Sequence, residues 1–122
     1  MLGLPSGPQR SQIMTEDSKI LERLYSVIES RKDNRPASSY TAHLLSQGMP
    51  EIARKVGEEA VETITAALTA ENKNIVAESA DLLFHLLVLW SEKGITPAEV
   101  WAELIRREGT SGIEEKAARP AK

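Results

Sequence analysis

The spacing of apolar residues along this chain predicts helices. Apolar side chains recur at every third or fourth position from Ile20 to Ile28, through the segment PEIARKVGEEAVETITAAL, and again from Val100 to Ile105, which is the period of an amphipathic helix. No run alternates apolar and polar residues as a half-buried strand does, and no segment repeats. We therefore expect an all-α protein, an antiparallel bundle of about four to five helices.

Breakers and caps place the ends of these helices. The polar stretch around Pro36 separates the first helix from a short second one that Gly48 closes. Gly94 is a natural stop for the longest apolar helix, and Thr96 with Glu99 forms a capping box that starts the next. The two longest helices are joined by the short polar segment AENKN, so they should run antiparallel.

The length of the chain suits one domain with a modest core, at 122 residues. Residues 1–14 are rich in Pro, Gly, Ser and Gln, which predicts a disordered leader or an expression remnant. Residues 15–108 hold every predicted helix and form the all-α domain. Residues 109–122 show no apolar period, so we expect a flexible tail that substrate binding can order.

Composition excludes several classes of partner and site. The net charge is only −3, so no basic surface indicates nucleic acid and no polybasic tract indicates a membrane. The apolar run 82–90 falls well short of the roughly 20 residues that a membrane helix needs. The chain has no cysteine, which leaves oxygen or histidine as metal ligands and agrees with a reducing compartment. We expect a cytoplasmic protein with a small-molecule partner.

The helix predicted from about Asn74 to Lys93 is apolar nearly all round in its C-terminal half. A helix of this kind is buried on several sides, and one bundle of about four helices has limited surface with which to cover it. The sequence therefore predicts a homodimer or a higher homo-oligomer.

Two pairs of carboxylates lie on the two longest helices. Glu59 and Glu62 are three positions apart, as are Glu78 and Asp81, and residues at that spacing share a helix face. If the helices fold back near residues 70 and 71, both pairs stand at about the same distance from the turn. Four carboxylates then converge, with Glu58 beside them.

Converging carboxylates repel one another unless a cation joins them. Oxygen ligands of this kind suit Mg²⁺, with Mn²⁺ as a possible substitute. A cation bridging carboxylates to phosphate oxygens would suit cleavage of a nucleotide pyrophosphate bond. The alternative is that these glutamates are a solvated helix face, as glutamates commonly are. His85 continues the stripe of Asp81 and is interpreted as a packed or supporting histidine rather than as a ligand.

The segments KVGEEAVE and ESADLLFHLLVL resemble the EExxE and ExxD halves of the MazG-like all-α nucleotide pyrophosphohydrolases. LERLYSVIESRK, SSYTAHLLSQG and REGTSGIEEKAAR resemble, more narrowly, the phosphoribosyl-ATP pyrophosphatase family. The resemblance covers about Ile20 to Arg119. It implies magnesium-dependent hydrolysis of phosphoribosyl-ATP to phosphoribosyl-AMP and pyrophosphate, the second step of histidine biosynthesis, in the cytoplasm.

The resemblance also implies roles for particular residues. Glu59, Glu62, Glu78 and Asp81 match the metal ligands of the family, and Glu58 matches a position that binds metal or acts on the attacking water. The family often occurs fused to a cyclohydrolase domain that this chain lacks, so a separate protein is expected to supply that activity.

The phosphates of such a substrate need positively charged partners. Lys55 is the nearest basic residue on the same side of its helix as Glu59. Each further candidate can also be read as a solvated surface charge. These further candidates are Lys73, Arg106, Arg107, Lys116 and Arg119.

Two rival functions share part of this evidence. A house-cleaning pyrophosphohydrolase acting on dUTP, dCTP or non-standard nucleotides would have the same metal site and a different base pocket. A non-enzymatic helical module could use its acidic helices to dock a basic partner. The apolar surroundings of Glu78 and Asp81 argue against the module, because a docking surface needs no carboxylates in an apolar helix.

Overall fold

The computed structural model describes residue 17 and residues 19–120, and every regular element within them is a helix. This confirms the all-α prediction. The predicted leader over residues 1–14 lies outside the described residues. The helices are α1 (Ile20–Asp33), α2 (Tyr40–Gln47), α3 (Met49–Thr69), α4 (Asn72–Lys93), α5 (Pro97–Arg107) and α6 (Gly112–Ala118).

The two longest helices, α3 and α4, form an antiparallel hairpin. They contain 21 and 22 residues and are separated only by Ala70 and Glu71. Because the connection is so short, α4 must pack antiparallel to α3. All of the predicted carboxylates lie on this hairpin.

The hydrophobic core lies at the end of the hairpin that is away from its turn. There α1 packs against α4, and α2 fills the space between α1 and α3. Each fully buried aliphatic side chain in such a core contributes roughly 1.5–3 kcal/mol. The core consists of Tyr25, Ile28, Leu44, Leu45, Ile52, Leu87 and Val88.

The junction between α4 and α5 has the predicted local chemistry. Gly94 ends α4 with φ +73°, a left-handed conformation that favours glycine. The Thr96 side chain accepts a hydrogen bond from the Glu99 amide, and the Glu99 carboxylate accepts one from the Thr96 amide. The rings of Trp90 and Trp101 meet edge to face at 6.1 Å and fasten α5 to α4.

The tail contains a helix that no periodicity predicts. α6 spans seven residues, too few to show an amphipathic repeat, and it lies inside the segment expected to be flexible. Ser111 caps it by accepting a hydrogen bond from the Glu114 amide. Its one buried side chain, Glu115, accepts a hydrogen bond from Arg106 of α5. A polar contact, rather than an apolar face, therefore orders this helix.

In the single chain, several apolar residues in the half of the hairpin near the turn are exposed to solvent. Apolar residues there are 44 to 79 percent exposed, although α4 is expected to be buried on several sides. On each helix these residues recur at intervals of three, four or seven and so share a face. They are Val61, Ile64 and Leu68 on α3, and Val76 and Leu83 on α4.

By length and composition alone, α4 is the one helix among the described residues that could cross a membrane. Core helices of water-soluble proteins pass the same test. In this chain α4 supplies Leu87 and Val88 to the core and carries two carboxylates of the site described below. The core therefore covers part of its apolar surface, whereas Val76 and Leu83 stay exposed in the single chain.

Candidate metal centre

Three of the predicted carboxylates come together across the hairpin. Glu59 precedes the turn on α3 by about as many residues as Glu78 and Asp81 follow it on α4. With ~1.5 Å of rise per residue in both helices, the three side chains stand at one level. Each offers an oxygen that lies within 4.8 Å of the others. We call Glu59, Glu78 and Asp81 the carboxylate cluster.

Glu62, the fourth predicted ligand, lies next to the cluster rather than within that spacing. It is exposed, and it lies close enough to Glu59 to help raise the pKa of that carboxyl. Glu62 also borders, with Glu78, a cavity of about 370 Å³ that extends toward the turn. The other residues lining this cavity are Thr65, Ala66, Thr69, Ala70 and Asn74.

The cluster contains buried oxygens that have no partner. Glu59 is only 6 percent exposed, and its Oε2 atom makes no hydrogen bond; Oε2 of Glu78 is also buried and unpartnered. Burial, followed by the neighbouring Glu62, raises the pKa of the Glu59 carboxyl. Leaving carboxylate oxygens buried without partners is costly. A hard divalent cation would satisfy them, so the donor set fits such an ion.

The nearest positive charge is turned mainly toward Glu58. The Lys55 ammonium lies 2.9 Å from Oε1 of Glu58 and 3.6 Å from Oε1 of Glu59. Arg54 donates to the other Glu58 oxygen at 2.7 Å. The hydrogen bonds from Lys55 and Arg54 lower the pKa of the Glu58 carboxyl. The charge of Glu58 is therefore compensated at the edge of the cluster to a greater extent than that of Glu59.

His85 lies one helical turn after Asp81 and packs beside the carboxylate cluster. It is buried, and its Nδ1 lies 2.7 Å from the main-chain carbonyl oxygen of Asp81. Its Nε2 lies 3.0 Å from the hydroxyl of Tyr40 at the start of α2. Sequence reasoning assigned no role to Tyr40. The only signal for it was an aromatic residue in an otherwise polar helix start, next to the capping residue Ser39.

The other predicted phosphate partners are engaged elsewhere or lie in solvent. Arg106, Arg107 and Arg119 surround Glu115 at 2.6, 3.6 and 3.3 Å, and we call this group the arginine cluster. Lys73 lies 3.7 Å from Glu71 on the exposed turn of the hairpin. The remaining candidate, Lys116, is exposed.

The sequence model of one family, described as phosphoribosyl-ATP pyrophosphohydrolase, matches residues 21–108. A phosphoribosyl-ATP pyrophosphatase of Paramagnetospirillum magneticum is 60% identical over 109 residues, which are 89% of this chain and 100% of that protein.

Two further relatives with the same name are similar to this chain. The Azospirillum brasilense protein is 51% identical over 87% of this chain and 98% of its own length, and the Gluconobacter oxydans protein is 50% identical over 83% and 76%. The matched region contains the carboxylate cluster and, apart from Ile20, the first five of the six helices among the described residues. The chain therefore belongs to the phosphoribosyl-ATP pyrophosphohydrolase family.

Proposed function

We propose that this chain hydrolyses phosphoribosyl-ATP to phosphoribosyl-AMP and pyrophosphate, the second step of histidine biosynthesis, in the cytoplasm. The observation that carries the proposal is the carboxylate cluster, with its buried and unpartnered oxygens, inside the region that matches the family. The relatives described above are named for this activity.

The proposal includes a divalent cation, Mg²⁺ with Mn²⁺ as a possible substitute, held by the carboxylate cluster and Glu62. Carboxylate oxygens are the ligands that these hard cations prefer. When bound, the cation would offset the charge of the phosphate oxygens and polarise the phosphoryl group. The unpartnered Oε2 atoms of Glu59 and Glu78 support this assignment, because they have no other means of compensation among the described residues.

The remaining roles belong to side chains at the edge of the cluster. Lys55 would give a hydrogen bond to a phosphate oxygen, since its ammonium already lies within reach of both Glu58 and Glu59. Glu58 would orient or deprotonate the water that attacks the α or β phosphorus, after its pairs with Lys55 and Arg54 loosen. The bond between these two phosphoryl groups breaks, and pyrophosphate leaves.

We also propose that the chain works as a homodimer or a higher homo-oligomer. The exposed apolar residues of α3 and α4 lie on the same half of the hairpin, which a second copy could cover with its own hairpin. Light scattering at micromolar concentration tests this directly. A monomeric mass would contradict it, whereas a dimer that Leu68→Glu converts to monomer would support it.

The deciding experiment for the reaction measures pyrophosphate release with Mg²⁺ from phosphoribosyl-ATP and, in parallel, from dUTP, dCTP and dITP. We expect phosphoribosyl-ATP to have the highest kcat/KM. Preference for a deoxynucleotide would replace the proposed substrate, and no release from any of them would refute the enzymatic function.

Glu58→Gln and Glu62→Gln separate action on the water from binding of the cation. Loss of an acid–base group typically lowers kcat by about a hundredfold or more. We expect this loss at saturating Mg²⁺ for Glu58→Gln, with little change in the Mg²⁺ concentration that gives half-maximal activity. For Glu62→Gln we expect that concentration to rise. The reverse pattern would exchange the two assignments.

A further inference from the structure

Tyr40 is a half-exposed aromatic residue with an anchored hydroxyl group. It is the first residue of α2, and its side chain crosses to α4, where its hydroxyl oxygen lies 3.0 Å from Nε2 of His85. Its ring centroid lies 6.1 Å from that of Phe84 and 5.9 Å from that of His85. Even so, 50 percent of the residue remains exposed. The hydroxyl group is thus anchored, while half of the residue stays accessible to a ligand.

The hydrogen bonds of His85 define what the Tyr40 hydroxyl can do. The carbonyl oxygen of Asp81 has no proton to give, so Nδ1 of His85 must donate to it across their 2.7 Å separation. In the neutral imidazole, Nε2 then carries the lone pair and accepts the Tyr40 proton. The phenolic oxygen retains its own lone pairs. A ligand can therefore donate a hydrogen bond to Tyr40 but cannot easily receive one.

Tyr40 lies within the electrostatic field of the carboxylate cluster. Burial raises the pKa of its phenol, Lys55 opposes the rise, and Glu59 adds to it. The phenol consequently stays protonated at neutral pH. A group that is neutral, aromatic and a hydrogen-bond acceptor does not suit phosphate oxygens, which are themselves acceptors. It suits the uncharged part of a nucleotide, which offers ribose hydroxyl donors and the flat face of a base.

We infer that Tyr40, held by His85, contacts the nucleoside part of a nucleotide whose phosphates bind at the carboxylate cluster. This inference rests on the proposed function, because it takes the substrate to be a nucleotide. Tyr40 would contact the base and ribose, whereas the other proposed residues of the site act on the phosphates or the cation. Its loss should therefore weaken the binding of a nucleotide and spare the binding of inorganic polyphosphate.

The test compares Tyr40→Leu, Tyr40→Phe and the unsubstituted chain. Binding of ATP and of inorganic tripolyphosphate is measured by calorimetry in the presence of Mg²⁺, which requires no turnover. Base stacking on an aromatic residue supports a loss of about tenfold or more in ATP affinity for Tyr40→Leu. Tyr40→Phe removes one neutral hydrogen bond, so we expect ATP affinity to fall about fivefold in that variant. Tripolyphosphate affinity should change by less than about twofold in both variants.

Tyr25→Phe is the matched control. Tyr25 is the only other tyrosine in the chain, and its hydroxyl donates to the main-chain oxygen of Ile95 in the core. Its loss should leave both affinities unchanged, and circular dichroism should show that all variants stay helical.

Each outcome decides one claim. Equal weakening of ATP and tripolyphosphate by Tyr40→Leu would overturn the inference, because Tyr40 would then only shape the cluster. Unchanged ATP affinity, or no ATP binding by the unsubstituted chain, would overturn it as well. If the selective loss of ATP affinity is seen but phosphoribosyl-ATP is not hydrolysed, the proposed reaction fails while the role of Tyr40 in nucleotide binding stands.

Discussion

Glu59 and Glu115 are buried to nearly the same degree, at 6 and 5 percent exposure, yet their surroundings are opposite. Glu115 accepts hydrogen bonds from Arg106 at 2.6 Å and from Arg119 at 3.3 Å. The Arg106 guanidinium is the main reason that the pKa of the Glu115 carboxyl is lowered. Glu59 pairs only with Lys55, at 3.6 Å, among the ion pairs of the described residues; Lys55 lies closer to Glu58, and Oε2 of Glu59 has no partner. Burial is the main reason that the pKa of its carboxyl is raised.

This difference separates a structural carboxylate from a candidate ligand-binding one. Burial alone does not distinguish them, because both glutamates have left bulk water. What distinguishes them is compensation of the charge. The arginine cluster neutralises Glu115 within the fold and so attaches α6 to α5. The carboxylate cluster is left for something outside the polypeptide to neutralise, which is why we assign it to a cation.

The largest expected effect is on activity. Glu59→Gln removes the charge at the centre of the carboxylate cluster, and the loss of several kcal/mol of charge stabilisation predicts a fall in kcat/KM of at least about a hundredfold. Glu115→Gln has the same change in chemistry and nearly the same burial, and it should leave kcat/KM within about threefold. Steady-state kinetics of both variants checks this. Similar losses in the two variants would show that compensation does not separate the two sites.

The next effect is the response of stability to Mg²⁺. A ligand that binds only the folded state stabilises it, by about 2.7 kcal/mol at a hundred times its dissociation constant. Thermal unfolding of the unsubstituted chain should therefore shift upward with added Mg²⁺. The shift should persist in Glu115→Gln and disappear in Glu78→Gln. An equal shift in all three proteins would place the ion outside the carboxylate cluster.

Much of the fold follows from sequence because it depends on local chemistry. The stop at Gly94, the capping box of Thr96 and Glu99, and the short α3–α4 connection each constrain only neighbouring residues. The meeting of Glu59 with Asp81 follows from helix rise and the position of one turn. These inferences need no knowledge of long-range packing.

The parts that sequence did not predict depend on contacts between distant segments. Tyr40 gains its significance from His85, which lies 45 positions later and on another helix. The short helix α6 is attached to α5 through the ion pair between Glu115 and Arg106. The residues around Glu115 and Arg106 in the sequence do not indicate that the two side chains pair. The pairing of Glu58 with Arg54, one turn earlier, could have been read from the i, i+4 spacing.

In the metal-free protein, the contributions of Glu59 and Glu115 to the free energy of unfolding should change with pH in opposite directions. The pKa of folded Glu59 lies above its ordinary value of 4.5, so between the two values the folded state binds more protons than the unfolded one. The contribution of Glu59 to the free energy of unfolding thus falls as pH rises through that window. The pKa of folded Glu115 lies below 4.5, so its contribution rises with pH below that value.

Urea unfolding between about pH 3 and pH 7 measures both slopes. Subtracting the profile of Glu59→Gln from that of the unsubstituted chain should leave a falling contribution above pH 4.5, and subtracting the profile of Glu115→Gln should leave a rising one below it. Two contributions of the same sign would mean that the apparent lack of compensation around Glu59 does not persist in solution.

The smallest effect is expected for an ion pair that resembles that of Glu115 but lies in solvent. Arg54 is bonded to Glu51 and Glu58 on the exposed side of α3, and its side chain is 58 percent exposed. Water and salt already screen such charges, so Arg54→Met should lower the thermal midpoint by less than Glu115→Gln does. Glu58 keeps its bond to Lys55 in that variant, so the Mg²⁺ response should be preserved. A loss of stability as large as that of Glu115→Gln would mean that exposure does not weaken these ion pairs, and that the burial of Glu115 adds little to the stability its arginines provide.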